Sequence, residues 1–437
     1  MSFLIRLGFK NIGRNKLRSA LTLVAVALCS GGILMFSVLF SGITNMFLEG
    51  LTTQNGHVRI IDAELAKNER LKAGYHFVQN VDHVLKTLKG VKGVQYVLPR
   101  IETGGYMEHS FTRAEEKKAI AAKRCVHKTL AEPTDPKSKK ISKQTPGGGV
   151  GMNPDAEKSV TDLHKRVVRG RMMKPTGKEI VLGRLLAERL HACTGSKITM
   201  IGKTVDDSMS AVTLTVVGIV NMGGSMLDKR FYINLKTAQH FLDLPNQVGS
   251  ILVYGKDLWE STTLRRRINQ VDLKSKVHVA EWQKSPLAAM ALPMLKVFIF
   301  ILGGIIMFVG GVGLFNTMMM SVLERQDEVG IMMALGLHPG QVRNAFLLEG
   351  FVYGVVGAVS GVLIAMVASI PLLTTGISFG TDATSKIPFP METTIKGSLS
   401  LDGILIGLAV GVLMTIIGSI IPAVRASHLE PVEILRK

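Results

Sequence analysis

Residues Ala20–Phe40 read ALTLVAVALCSGGILMFSVLF, and they sit inside a longer window, Ser19–Leu48, that holds no Asp, Glu, Lys or Arg. Three further windows share this property: Val297–Leu323, Gly350–Thr381 and Gly403–Val424. An α-helix rises about 1.5 Å per residue, so about 20 apolar residues cross the hydrocarbon core of a bilayer. Each window is long enough. Buried helices of water-soluble proteins rarely run past about 14 apolar residues without a charge, so the sequence predicts four membrane spans.

The charge distribution supports this partition. The chain has 437 residues, 52 Lys+Arg and 33 Asp+Glu, giving +19 and a charged fraction of 19%, low against the usual ~25%. The four windows account for 111 residues; the other 326 carry all 85 charges, or 26%. A single soluble domain is excluded. Arg6, Lys10, Arg14, Lys16 and Arg18 precede the first window like the basic region of a signal peptide. The apolar stretch outruns a typical signal core, and no small-x-small cleavage site follows it, so an uncleaved anchor is expected.

Basic residues in short connections set the orientation. Ten lie in the N-terminal tail, the connection Glu324–Glu349 and the C-terminal tail, against Lys386 and Lys396 in Asp382–Asp402. Both termini are therefore expected in the cytoplasm. The expected architecture is an α-helical membrane protein with four transmembrane helices and a large α+β extracytoplasmic domain inserted between the first and second spans. Its divisions are a cytoplasmic amphipathic segment 1–19, span 20–45, outer domain 46–287, span 288–323, cytoplasmic coupling helix 324–340, span 341–373, outer loop 374–402, span 403–424 and cytoplasmic tail 425–437.

Residues 41–296 carry 40 Lys+Arg and 24 Asp+Glu, so +16 of the +19 lies outside the membrane here. Alternation and β-branched runs predict strands at His57–Ile61, Val94–Leu98, Glu179–Leu182, Lys197–Ile201, Val212–Val220, Phe231–Ile233 and Ser250–Val253. Helical patterns fall at Val81–Leu88, Arg184–Leu190, Leu235–Leu242 and Trp259–Ile268. The stretch Ala114–Lys178 is basic and contains Pro-Gly-Gly-Gly-Val-Gly at 146–151, so Asp135–Asp155 reads as a mobile surface loop. Three cysteines are too few for a disulfide scaffold. Cys29 lies in a span; Cys125 and Cys193 are either bridged or free.

No catalytic constellation is legible. Gly202-Lys203-Thr204 lacks the upstream glycine of a phosphate-binding loop and reads as a strand-to-loop turn. Gly376-Ile-Ser378-Phe-Gly380 follows a membrane helix rather than a hydrolase strand, which makes the nucleophile-elbow match accidental. The eleven histidines are scattered without metal-ligand spacing, and a lone His57 or His191 reads as a surface or satisfied polar residue. The spans hold no ionisable residue, which argues against a proton relay or a cargo site at mid-bilayer. They do hold glycines four apart: Gly350/Gly354, Gly357/Gly361 and Gly403/Gly407/Gly411. That spacing lets helix backbones approach, either between spans of one chain or across a dimer.

Between the second and third spans, Glu324-Arg-Gln-Asp-Glu-Val-Gly-Ile-Met-Met-Ala-Leu-Gly336 places acids in a first helical turn. Val329, Met332, Met333 and Leu335 supply apolar residues near one side, Gly336 stops the helix, and Pro339 opens the next. Its acidic polar face suits a groove on a cytoplasmic partner better than a membrane surface. The segment resembles the coupling segment of the MacB/FtsX-type permeases of ABC transporters. Lys10-Asn-Ile-Gly-Arg-Asn-Lys-Leu-Arg-Ser-Ala-Leu-Thr22 and Pro422-Ala-Val-Arg-Ala-Ser-His-Leu-Glu-Pro-Val-Glu-Ile-Leu-Arg436 resemble the same family. So do Val168-Arg-Gly-Arg171, Glu179-Ile-Val-Leu-Gly-Arg-Leu-Leu-Ala-Glu-Arg-Leu190 and Gly195-Ser-Lys-Ile-Thr199 in the outer domain. Gly56-His-Val-Arg-Ile60 is similar to the lipoprotein-releasing (LolC/LolE-like) branch.

The resemblance implies a dimeric permease of the bacterial inner membrane, homo- or heterodimeric, served by a cytoplasmic ABC ATPase dimer. ATP and Mg would sit on that ATPase, with no cofactor, metal or catalytic residue on this chain. Carried over by position, Glu324, Arg325, Asp327, Glu328, Val329, Met332, Leu335 and Gly336 would face it. Motion of the ATPases would reach the outer domain along the spans, and cargo need not cross the membrane. Three kinds of work fit: release of lipoproteins toward the outer membrane, MacB-like tripartite efflux, or FtsX-like regulation of a cell-wall hydrolase. A periplasmic chaperone or adaptor is a further implied partner. Only Gly202–Ala211 separates two matching strands, leaving no room for the long chaperone-capturing loop of some lipoprotein-releasing subunits. The basic insertion Ala114–Lys178 suits contact with anionic membrane lipid or a partner, or a solvated loop. Nucleic acid is excluded as a partner, since the basic domain is poor in aromatics and lies outside the cytoplasm.

Overall fold

The computed structural model describes residues 16–67, 76–132, 140–222, 227–378 and 394–428. The chain divides into two units. One comprises Met1–Asn45, Leu292–Ser378 and Thr394–Lys437, the other Met46–Ala291 with Phe379–Thr393. Among the described residues four helices are long and apolar enough to cross a membrane: Ser19–Thr53, Ala288–Glu324, Pro339–Thr374 and Leu401–Ser427. They belong to α1 (Lys16–Asn55), α9 (Pro286–Glu324), α11 (Pro339–Thr374) and α12 (Leu401–Ser427).

In the first unit α1, α11 and α12 form the packed centre. Leu34 and Val38 of α1 meet Val362, Ala365 and Leu372 of α11, with Ile404 and Leu408 of α12 against them. Polar groups reinforce the packing where no water can compete. Ser30 Oγ donates to the Ala358 carbonyl at 3.1 Å, and the Ser19 and Tyr353 hydroxyls lie 2.9 Å apart. The apolar window of α9 is only 6% buried against 44% for α1, so α9 is the outlying helix of this unit. A short helix, α10 (Gln326–Ala334), joins α9 to α11. Beyond α11, β11 (Ile377–Ser378) pairs with β12 (Thr394–Ile395).

The second unit is α+β, built on a ten-stranded sheet. In chain order its elements are β1 (Val58–Asp62), α2 (Ala63–Lys67), α3 (Val81–Lys89), β2 (Val94–Thr112) and α4 (Arg113–Ala121). Next come β3 (Lys140–Met152), α5 (Pro154–Glu157), β4 (Val167–Gly170), β5 (Glu179–Gly183), α6 (Arg184–Leu190), β6 (Lys197–Lys203) and β7 (Met209–Val220). The last are β8 (Arg230–Asn234), α7 (Leu235–Leu242), β9 (Ser250–Gly255), α8 (Ser261–Asn269) and β10 (Val277–Glu281).

The long strand β2 serves two neighbourhoods. Its first residues, Val94–Arg100, pair with β9, which continues to β1 and β10. Residues Arg100–Thr112 pair with β3, while Tyr106–Glu108 pair on the other edge with β6. Since β3 joins β8, β8 joins β5, β5 joins β7 and β7 joins β6, the pairing closes on itself. A closed circuit leaves no strand at an end of the series, which limits the exposed edge. Ile101, Met107, Ile180, Leu214 and Phe231 fill the core, covered by Val84 of α3, Leu186 of α6, Phe241 of α7 and Leu264 of α8.

The stretch expected to be a mobile loop, Asp135–Asp155, is ordered wherever it is described. Lys140–Met152 is a strand in unbroken register with β2, from Thr112 opposite Lys140 to Arg100 opposite Met152. Gly149 and Gly151 serve close approach instead of flexibility. A Cβ at Gly149 would collide with the Phe231 ring, and one at Gly151 with Ala238. Cys125 and Cys193 are joined by a disulfide across 68 residues of sequence. Gly202-Lys203 closes β6 and leads into a tight hairpin, where Thr204 N–H donates to the Ser208 carbonyl at 2.8 Å. About half of each motif at the chain ends, residues 10–15 and 429–436, lies outside the described residues, as do the lysines at 137 and 139, and Phe379-Gly380.

Candidate functional site

The segment between α9 and α11 is a defined turn–helix–turn. Asp327 and Glu328 occupy the first turn of α10, where their charge complements the helix dipole. Gly336 adopts φ +95° after the last residue. Its N–H donates to the Met333 carbonyl at 3.0 Å, and Leu337 N–H donates to the Met332 carbonyl at 3.1 Å. This is the double closure of a Schellman stop, which a residue with a Cβ would strain. His338 then caps α11: its Nδ1 accepts from Gly340 N–H at 3.2 Å while Gln341 Oε1 accepts from His338 N–H at 3.0 Å.

Burial sorts the coupling residues into two sets. Val329 is fully buried and packs with Val322, Val342 and Ala426, joined by Met332 and Met333. Leu335 is 80% exposed and Ile331 50% exposed, beside the exposed Glu324, Asp327 and Glu328. The expectation that Val329 and Leu335 share a partner-facing side is therefore corrected. Val329 and Met332 hold the helix to its own unit, because a 100° step per residue points Leu335 elsewhere. Ile331, which the sequence pattern did not single out, joins the outward face. Arg325 is turned inward as well, its Nη1 3.2 Å from Glu349 Oε2, with side chains 14% and 6% exposed.

The seven spaced glycines all lie at helix contacts within the first unit. A Cβ at Gly350 would stand 2.7 Å from Ser419 Oγ, and one at Gly354 would collide with Thr415, both on α12. Gly357 faces Val26 and Gly361 faces the Ala27 carbonyl, both on α1. Gly403 faces Ser37, Gly407 approaches the Ser30 carbonyl, and Gly411 fits between Ala358 and Ser30. Among the described residues, a Cβ at Gly303, Gly304 or Gly313 of α9 would meet nothing within 4 Å.

In the second unit the last turns of α1 end beside a cavity of about 400 Å³. Arg100 of β2 lies in its wall. Arg100 Nε donates to Glu157 Oε1 at 2.7 Å and Nη2 to Oε2 at 2.8 Å, a bidentate pair. Its remaining Nη1 donates to the Thr53 carbonyl at 2.8 Å, and Tyr254 OH donates to the Thr52 carbonyl at 3.0 Å. Carbonyls in the final turn of a helix lack intrahelical partners. Here Arg100 of β2 supplies one to Thr53, and Tyr254 of β9 adds a second donor to the Thr52 carbonyl, which also accepts from Gly56 N–H at 2.7 Å. Burial opposes the Arg100 charge, but the charge and hydrogen bonds of Glu157 outweigh it and hold the pKa above the ordinary arginine value. Burial pushes the Tyr254 and Tyr232 phenols up to about 12. His57, next to this turn, is a satisfied half-buried residue whose Nδ1 accepts from Gly255 N–H at 3.1 Å. The sequence carried no signal for this clasp, since Arg100, Glu157 and Tyr254 are far apart in the chain.

Comparison with known proteins places these features. Residues 19–271 match the MacB-like periplasmic core domain, and residues 300–431 match the FtsX-like permease C-terminal region. Both are parts of transporter membrane subunits, and neither is a catalytic domain. The lipoprotein-releasing system transmembrane protein LolC of Xylella fastidiosa (strain Temecula1) is 26% identical over 313 residues, 65% of this chain and 72% of that protein. The ABC transporter permease YknZ of Bacillus subtilis (strain 168) is 31% identical over 135 residues, 31% of this chain and 30% of that protein. The macrolide export ATP-binding/permease protein MacB 1/2 of Paracoccus denitrificans is 35% identical over 133 residues, 30% of this chain and 17% of that protein. The chain belongs to the MacB/FtsX-like permeases: it is a multi-pass membrane permease of an ABC transporter, with a periplasmic core domain between its first and second spans.

Proposed function

We propose that this permease converts the motion of a cytoplasmic ABC ATPase dimer into movement of its periplasmic domain, and so releases lipoproteins from the inner membrane toward the outer membrane. Both termini lie in the cytoplasm, and a second permease subunit completes the complex. The exposed face of α10, with Glu324, Asp327, Glu328, Ile331 and Leu335, docks the ATPase, which carries the ATP and Mg. Cargo does not cross the bilayer, in keeping with the long windows of each span that hold no Asp, Glu, Lys or Arg.

The observation that carries this reading is α1. It runs as one helix from Lys16 to Asn55, and its last turn is held by Arg100 and Tyr254 of the sheet. A last turn held in this way passes its displacement to β2 and β9. The choice of cargo follows the breadth of likeness: the LolC relative aligns over 65% of the chain, the export relative over 30%.

Depletion of the protein tests the cargo directly. Outer-membrane lipoproteins should accumulate in the inner membrane fraction within a few generations. Unchanged sorting would reject lipoprotein release. Co-purification of an adaptor and an outer-membrane channel would assign the permease to efflux instead.

A further inference from the structure

A cluster of metal-ligating side chains lies in the periplasmic domain, away from the clasp on α1. It begins at α4, whose Thr112 cap accepts from Glu115 N–H at 3.3 Å and orients the first turn. The next residue, Glu116, points inward and is 3% exposed. Its carboxylate accepts from Ala131 N–H at 3.0 Å and from His191 Nδ1 at 2.8 Å. His127 Nε2 stands 3.2 Å from the same Oε1. That approach lacks hydrogen-bond geometry, and neither ring nitrogen of His127 has a hydrogen-bond partner among the described residues, although the side chain is only 5% exposed. A buried polar group left unpaired costs about 1–3 kcal/mol, a cost that a bound metal ion on the ring nitrogen would remove.

The surroundings fix these groups in place. His127 lies two residues after Cys125 and His191 two residues before Cys193, and the disulfide ties the two segments together. The two imidazoles meet edge-on with centroids 4.8 Å apart. One donor atom from each of Glu116, His127 and His191 falls within 4.8 Å of the others. Tetrahedral bonds of about 2.0–2.1 Å set neighbouring donors roughly 3.3 Å apart. The two separations from Glu116, 2.8 and 3.2 Å, lie within about 0.5 Å of that, and the donor atoms of the two rings lie within 4.8 Å of each other.

We propose that Glu116, His127 and His191 bind a divalent transition metal of the zinc class. Two neutral imidazoles and a carboxylate form the three-ligand set such ions accept, with a fourth position for water beside the partly exposed His191. The cysteines, being bonded to each other, contribute no thiolate. Positions 116, 127 and 191 match no short motif, which is why sequence spacing hides the site. This inference does not depend on the proposed cargo.

The test uses the full chain, purified in detergent without a histidine tag, stripped with a chelator under non-oxidising, non-reducing conditions and desalted. Titration with Zn²⁺ against a chromophoric chelator should give one equivalent per chain. His127→Gln, His191→Gln and Glu116→Gln should each weaken binding about tenfold or more, whereas His240→Gln on the exposed surface of α7 should not. Zinc should raise the melting midpoint of the unaltered protein, and Co²⁺ should give a spectrum without a thiolate charge-transfer band. These two measurements decide the matter even where a variant fails to fold. The absence of stoichiometric zinc, equal affinity in the three folded variants, or a thiolate band would overturn the proposal.

Discussion

Arg100 holds Thr53 and Glu157 at once, donating to the Thr53 carbonyl at 2.8 Å while its other nitrogens take both oxygens of Glu157 at 2.7 and 2.8 Å. The guanidinium fork suits this task because it offers several donors in one plane, which an ammonium does not. Side-chain exposures of 12% and 3% put the pair largely out of water.

Removal of Arg100 should therefore do more than delete a contact. Arg100→Ala strands the Glu157 carboxylate in a buried site, at a cost of about 3–5 kcal/mol. For a domain of this size that corresponds to a fall in melting midpoint on the order of 10 °C. Arg100→Lys keeps the charge without the bidentate geometry and should fall between. The chain's two tryptophans, Trp259 and Trp282, both lie in the periplasmic domain, so their fluorescence reads this domain alone. A midpoint unmoved in Arg100→Ala would show that the clasp carries no stability.

The outward face of α10 makes a contrasting prediction. Ile331 and Leu335 are large, exposed apolar side chains beside acids, and burying each in a partner groove is worth about 1.5–3 kcal/mol. Ile331→Asp with Leu335→Asp should cut recovery of the ATPase at least about tenfold while the permease still inserts at its usual level. Val329→Asp should behave differently. It places a charge among Val322, Val342 and Ala426 and should lower permease abundance itself. Full ATPase recovery with the double variant would remove α10 as the docking element.

Among the glycines, position matters more than spacing. A methyl group at Gly361 points at the Ala27 carbonyl of α1, and overpacking of this kind costs roughly 1–3 kcal/mol. Gly361→Ala should lower the SDS fraction at which helical circular dichroism is lost in mixed micelles. Gly303→Ala, where a Cβ meets no described residue within 4 Å, should leave that midpoint unchanged or slightly higher, given the better helix propensity of alanine. Equal loss in both variants would contradict the packing described for α1 and α11.

The contrast between these sites explains what was legible in the sequence. The spans were, because the membrane removes charge from continuous windows. Strands β5, β6, β8 and β9 and helices α6 and α7 were also legible, since one buried face imposes alternation or a 3.6-residue period. The second half of β2 and all of β3 were not. Thr103-Gly-Gly105 and Pro146–Gly151 look like chain breakers, yet Gly105, Gly149 and Gly151 leave no room for a Cβ, because Ile201, Phe231 and Ala238 press against the backbone. Helix α4 is mostly polar with an acid, Glu116, as its buried residue, so no apolar period announces it. The inward and outward faces of α10 could not be separated by composition, since Val329, Ile331, Met332 and Leu335 are all apolar. Which of them pack inside depends on helices distant in sequence.

Acidification should weaken the periplasmic domain, and the sign follows from its histidines. Burial lowers the pKa of His57, His109 and His127 from the ordinary 6.5, against partial opposition from Asp257 at His57, from the Leu190 carbonyl at His109 and from Glu116 at His127. Below pH 6.5 the unfolded chain binds these protons while the folded domain does not. Stability then rises with pH and is lost as pH falls from 6.5 toward the folded-state values. Asp228 works the other way: burial raises its pKa above 3.8, so its protonation favours the folded state on acidification. The histidine contribution is therefore isolated as a difference between proteins. With a chelator present, the tryptophan-detected midpoint should be lower at pH 5.5 than at pH 7.5. In His109→Gln, where the Leu190 carbonyl can still accept a hydrogen bond at the same site, that difference should shrink. A midpoint that rises on acidification in the unaltered protein, or a variant with the same pH slope, would refute the assignment.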